Sequence, residues 1–142
     1  MNACPLCQPS PHENLWQDDF CRVVLLNDAN YPAYCRVELL EHVKEMSDLP
    51  PPERARMMKV VFSVETAIRE VIKPDKINLA SLGNKTPHIH WHIIPRFEND
   101  KHFPNSHWAE ALRENNCAAL NLTEKIQLAD KIKAHILCAL ED

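Results

Sequence analysis

The sequence predicts an α+β fold, an antiparallel sheet with helices laid over it, and three observations lead there. Two short apolar segments, Phe20 to Leu26 and Tyr34 to Leu40, flank the turn-forming Asn27-Asp28-Ala29-Asn30-Tyr31-Pro32, the pattern of an antiparallel pair. One long stretch ending near Ile72 repeats its apolar residues at helical spacing, with Met57, Val61, Val64, Ile68 and Val71 four or three apart. Past it, His88 to Ile94 alternates histidine with apolar residues, the period of a strand.

Each element follows from local chemistry. Residues 1–19 are rich in Pro, Asn and Gln and read as an irregular arm carrying a C-x-x-C pair at Cys4 and Cys7. Phe20 to Leu26 and Tyr34 to Leu40 are strands. His42 to Leu49 leads into Pro50-Pro51-Pro52, whose last proline suits a helix's first turn. Met58 and Phe62 widen the apolar stripe of that helix, and Pro74 ends it. Ile77 to Leu82 is a strand, and Gly83-Asn84-Lys85-Thr86-Pro87 leads out of it. His88 to Ile94 is a strand framed by Pro87 and Pro95. A polar loop with Phe103, Pro104 and Trp108 follows, and Trp108 to Glu114 is expected to form a short helix. Residues 115–142 form the C-terminal helical segment. Its helix starts near Asn121, with Glu124 completing a capping box and Leu122, Ile126, Ala129, Ile132 or Lys133, and Ile136 as its stripe. The whole chain, 1–142, reads as one domain without repeats.

Composition narrows the function. Sixteen basic against twenty acidic residues give a net charge of −4, which argues against a nucleic-acid surface. A single glycine, Gly83, excludes a glycine-rich phosphate loop and a dinucleotide fingerprint. No stretch approaches a membrane span, so no membrane partner is expected. Met1-Asn2-Ala3-Cys4-Pro5 has neither a basic nor an apolar run, so a cytoplasmic location is the expectation. There the six cysteines stay reduced, and Cys4 with Cys7 is a metal half-site or a redox pair. Cys21, Cys35 and Cys138 lie in apolar segments and are expected to be packing residues. His12, His102, His107 and His135 are expected at the surface. His102 and His107 lie in the loop after the histidine strand, near enough to brush a substrate. Trp16 and Trp108 are packing or nucleobase-contact candidates.

The chemistry concentrates in His88, His90 and His92. In a strand they share one face, about 6.6 Å apart at the backbone, while Ile89, Trp91 and Ile93 share the other. Three co-facing imidazoles can bind a catalytic metal with an open position for water. Alternatively, one is a nucleophile at phosphorus and its neighbours orient it and bind phosphoryl oxygens. A solvated face that happens to be histidine-rich is the bland reading.

The run Asn84-Lys85-Thr86-Pro87-His88-Ile89-His90-Trp91-His92-Ile93-Ile94-Pro95-Arg96 resembles the histidine triad (HIT) family, whose signature is His-φ-His-φ-His-φ-φ with φ apolar. The resemblance covers roughly Phe20 to Arg96. It implies a HIT-like antiparallel sheet of about five strands, with a long helix and a C-terminal helix packed on it. It implies a nucleotide hydrolase or transferase that cleaves at the α-phosphorus of a nucleoside phosphoramidate or dinucleoside polyphosphate, through a covalent nucleotidyl-histidine. His90 would then be the nucleophile, His92 would bind phosphoryl oxygen and assist the leaving group, and His88 would support the site or bind zinc. Asp28, or Asn27, would hold the ribose hydroxyls, and Asn84 lies in the phosphate-contacting loop. The sequence departs from the family in two places. Tyr34-Cys35 stands where a fourth histidine is common. Lys85 replaces the serine or threonine that usually precedes the triad, and would supply charge instead.

Some members of the family bind zinc through a C-x-x-C, a histidine after the second strand and the first triad histidine, and Cys4, Cys7, His42 and His88 occupy the matching positions here. The resemblance thus implies a structural zinc, no organic cofactor, a purine nucleotide substrate and a homodimer, for which Met58 and Phe62 offer an apolar flank. A non-catalytic nucleotide-binding protein and a three-histidine metal-dependent hydrolase are the competing readings.

Overall fold

A computed structural model describes residues 3–141; Met1 and Asn2 of the expected arm and domain, and Asp142 of the C-terminal segment, lie outside the described residues. Five strands, β1 (Glu13–Gln17), β2 (Cys21–Leu25), β3 (Cys35–Leu39), β4 (Lys76–Ala80) and β5 (His90–Arg96), form one sheet in the order β1-β2-β3-β5-β4. Every neighbouring pair is antiparallel, so the α+β class holds. Two helices, α1 (Pro51–Ile72) and α2 (Leu122–Leu140), cover one face.

Alternation divides each strand between that covered face and an open one. Cys21, Val23 and Leu25 of β2, Cys35, Val37 and Leu39 of β3, and Trp91 and Ile93 of β5 join Met57, Val61, Val64 and Ile68 of α1 in the core. Burying each large aliphatic side chain there contributes about 1.5–3 kcal/mol. The expected stripe of α1 is therefore the buried one, and Phe62 on its flank is exposed. Lys73, in the left-handed conformation at φ 47°, and Pro74 stop the helix. On the open face the register sets Arg36 beside His92 and Glu38 beside His90. That face carries the polar chemistry.

Several local expectations fail, each for a tertiary reason. The arm is not wholly irregular: Pro5–Cys7 makes a 3₁₀ turn and Glu13–Gln17 pairs with β2 as an edge strand. Its composition is polar because an edge strand with a bulge between Asn14 and Trp16 buries little. The histidine strand begins at His90, since His88 turns away toward the arm. Trp108 to Glu114 forms turns rather than a helix, pinned where Leu112 N–H donates to Lys101 O. Residues 115–121 are likewise non-helical, and α2 starts at Leu122, capped by Asn121 and Glu124 in the expected box. Leu128, Ile132 and Ile136 are its buried stripe, while Leu122 and Ile126 are exposed because the helix presents its other side to α1. Cys21 and Cys35 are buried as expected, but Cys138 is exposed. Among the described residues no helix is long and apolar enough to cross a membrane.

Candidate functional site

β5 brings His90 and His92 together on the open face with ring centroids 5.0 Å apart. His90 Nδ1 lies 2.6 Å from the carbonyl oxygen of His88, to which it donates. That bond assigns the ring proton to Nδ1 and leaves the Nε2 lone pair for chemistry. His92 Nδ1 lies 2.6 Å from the Tyr34 hydroxyl, which itself lies 3.4 Å from His107 Nε2. The shorter contact takes the hydroxyl proton, so Tyr34 donates to His92 and His107 donates to Tyr34. His92 Nε2–H then points away from Tyr34 as a donor. Burial, helped by His90, Arg36 and His107, pushes the His92 imidazolium down to about 3, so the ring is neutral near pH 7. Burial holds the Tyr34 phenol above its ordinary value, which keeps the proton that this chain needs.

His88 divides its atoms between two tasks. Its carbonyl orients His90, while its imidazole leaves the other two rings and joins Cys4, Cys7 and His42. His88 Nδ1 lies 3.4 Å from Cys4 Sγ, 3.6 Å from Cys7 Sγ and 3.1 Å from His42 Nδ1, and Cys7 Sγ lies 3.3 Å from His42 Nδ1. His88 Nε2 donates to the Leu39 carbonyl at 2.6 Å, so Nδ1 faces the group with its lone pair. The four ligand atoms lie within 4.8 Å of one another and could hold a metal ion. Bonds of about 2.3 Å to sulfur and 2.0 Å to nitrogen around a tetrahedral zinc put neighbouring ligands about 3.3–3.8 Å apart. The separations of His88 Nδ1 from its three neighbours, and of Cys7 Sγ from His42 Nδ1, fit that geometry. Three co-facing imidazoles sharing one catalytic metal is the expectation that fails.

A second tie holds the arm. Glu38, fully buried beneath the site, accepts from Arg22 Nε at 2.7 Å and from Arg36 Nε at 2.5 Å, while Arg22 reaches the Leu6 carbonyl at 3.3 Å. Two guanidiniums compensate the carboxylate there, and Arg36 keeps positive charge next to His92.

The expected ligand-contacting residues fall in two places. Asn27 and Asp28 line a hollow of about 580 Å³ at the turn after β2, where one Asp28 oxygen accepts from Asn30 N–H at 2.8 Å. Asn84 and Lys85 line another, of about 440 Å³, together with His90, His92 and Trp108. Gly83 at φ +86° makes the turn carrying them, and a Cβ there would meet the Thr86 carbonyl at 3.2 Å.

Tyr34, Arg36 and Glu38 went unassigned because each is read only through the register of β3 with β5. The signal was present in the alternation: Cys35, Val37 and Leu39 are apolar, so their neighbours face the histidines. His102 is buried rather than at the surface, stacked on Tyr31 with ring centroids 5.8 Å apart. His12, His107 and His135 are partly exposed, His135 pairing with Glu70 at 2.8 Å. Trp16 packs on the core, whereas Trp108 is 61% exposed beside His92.

The HIT domain family model matches residues 8–99. The chain is 30% identical over 152 aligned positions to the adenylylsulfatase HINT3 of Arabidopsis thaliana, covering 99% of this chain and 73% of that protein. It is 36% identical over 67 positions to a bis(5'-adenosyl)-triphosphatase of Saccharomyces cerevisiae, covering 44% of this chain and 32% of that protein. Among solved structures, a histidine triad protein from Bradyrhizobium japonicum superposes with a TM-score of 0.70 at 27% identity, covering 88% of this chain and 90% of that one.

Proposed function

The chain belongs to the histidine triad family, and from that premise we propose that it is a nucleotide hydrolase or transferase acting at the α-phosphorus of a nucleoside phosphoramidate or dinucleoside polyphosphate. The observation that carries this is His90, whose Nδ1 is bonded to the His88 carbonyl so that Nε2 is free to attack. The similarity to an adenylylsulfatase and to a bis(5'-adenosyl)-triphosphatase supports hydrolysis of a nucleotide, and the second supports a dinucleoside polyphosphate.

In the proposed reaction the His90 Nε2 lone pair forms a bond to the α-phosphorus, and the bond from phosphorus to the leaving group breaks, its electron pair departing with that group. His92 Nε2–H and Lys85 bind the phosphoryl oxygens whose charge grows as the bond breaks. The hydroxyl proton of Tyr34 and the Nε2 proton of His107 keep His92 in the tautomer that donates. Asp28, with Asn27 beside it, accepts from the ribose hydroxyls, and Asn84 meets the phosphate from the Gly83 turn. Water then attacks the phosphorus, the phosphorus–Nε2 bond breaks with its electron pair returning to Nε2, the water releases to solvent a proton that balances the one the leaving group takes up from it, and His90 is restored. We further propose that Cys4, Cys7, His42 and His88 hold a structural zinc ion. It supplies no step; it fixes the carbonyl that orients His90. The exposed Phe62 suits a homodimer.

Mass spectrometry of protein quenched during turnover of adenosine phosphoramidate or diadenosine triphosphate tests the proposal. A nucleotidyl adduct mapped to His90, with turnover lost in a folded His90→Asn variant, is the expected result. AMP binding without turnover of either compound would make this a nucleotide-binding protein instead.

A further inference from the structure

Trp108 is a large apolar side chain left 61% exposed, yet it is not loose on its loop. Its indole meets the His92 ring edge-on at 5.7 Å and lies against His107 at 4.5 Å. The loop beneath it is tied down at several points. Arg96 and Asp100 form a buried ion pair at 2.9 Å, Arg96 Nη2 donates to the Asn105 carbonyl at 2.8 Å, and Asp100 accepts from the backbone N–H groups of His102 and Phe103. A rigid loop thus holds an exposed indole beside the imidazoles. Across the same 440 Å³ hollow stand Leu82, itself 49% exposed, and the ammonium-bearing Lys85. The result is an aromatic wall, an aliphatic wall and one cation, with His90 and His92 as the floor.

The hollow lies on the opposite side of β5 from Asp28. The sheet order puts β3 and β2, with the Asn27–Asp28 turn, on one side of β5, and puts β4 with the Leu82–Thr86 loop on the other. A substrate whose ribose sits at Asp28 therefore extends its departing half over Leu82, Lys85 and Trp108. A sulfate or an amine leaving there would touch neither apolar wall. A flat base would stack on the indole, and the phosphates linking it to the α-phosphorus would pass Lys85.

Resting on the proposed function, we infer that Trp108, Leu82 and Lys85 form a leaving-group site for the second nucleotide of a dinucleoside polyphosphate, and that this site makes such compounds the preferred substrates over those with small leaving groups. The test compares diadenosine tetraphosphate with adenosine phosphoramidate. Trp108→Ala lowers the ratio of their kcat/KM values about tenfold, as expected for losing one stacked base, and Trp108→Phe restores most of it. Calorimetric titration in a His90→Asn background asks the same question without turnover: adding Trp108→Ala weakens diadenosine tetraphosphate about tenfold relative to AMP. A kcat/KM ratio and a relative affinity that both ignore the substitution would overturn this assignment. Absence of turnover in the wild type, with the affinity difference intact, would instead count against the proposed catalysis and leave the binding site standing.

Discussion

The Tyr34 hydroxyl lies 2.6 Å from His92 Nδ1, joining the residue that precedes β3 to the second histidine of β5. The bond fixes which nitrogen of His92 carries the proton, and His107 at 3.4 Å from the same hydroxyl extends the chain into the loop after β5. A tyrosine thus supplies, at the position where the triad resemblance leads one to look for a histidine, a partner that stays protonated.

Tyr34→Phe removes that partner and leaves a buried ring nitrogen unpaired, which costs about 1–3 kcal/mol of stability. The orienting bond itself is worth about 0.5–1.5 kcal/mol, so kcat falls roughly two- to tenfold while KM changes little. Steady-state kinetics beside urea denaturation separates the two effects. An unchanged kcat would mean that the orientation of His92 does not matter to the rate.

Protein purified without chelator is expected to contain one zinc ion per chain by elemental analysis, and Cys4→Ser to lose it. A metal held there would join the arm to the residue whose carbonyl orients His90, so its removal should lower both the melting temperature and kcat. Zinc-free protein that melts and turns over like the untreated protein would refute the site.

His92 also predicts how stability depends on pH. Its folded-state value, pushed down to about 3 by burial, lies below the ordinary 6.5, so the unfolded chain binds the proton more tightly. The contribution of the neutral ring is complete above about pH 6.5 and is lost as the pH falls toward 3. The wild type should therefore lose up to about 1.4 kcal/mol more per pH unit over this window than His92→Asn. Denaturant titrations of both proteins at pH 7, 6 and 5 give the comparison, and parallel lines would exclude the effect.

Asp100 anchors the loop that carries Trp108, accepting from Arg96 and from three backbone N–H groups. Asp100→Ala strips a buried guanidinium of its partner and should destabilise the fold by about 3–5 kcal/mol. Thermal unfolding measures this directly. A loss below about 1 kcal/mol would mean that the loop is held by other contacts.

Much was legible before any coordinates. The stripe Met57, Val61, Val64 and Ile68 marked α1, and the apolar alternates Ile89, Trp91 and Ile93 marked the covered face of the histidine segment. Both are periodic signals carried by neighbouring residues. β1 was not legible, since an edge strand that buries little leaves almost no pattern. The stripe of α2 was misjudged because Leu122 and Ile126 fit the helical period as well as Leu128 does, and only the crossing with α1 selects among them.

By itself, then, the sequence determined the four strands β2 to β5, the two helices and the joint placement of His90 and His92, because each depends on residues a few positions apart. Tertiary structure decided the rest of the site. It turned the His88 ring toward Cys4, Cys7 and His42, set Tyr34 on His92, and left Trp108 exposed beside the imidazoles. Those contacts join residues 46 to 84 positions apart, or depend on how a loop is tied down, and no local period encodes which distant side chain will fill a given space.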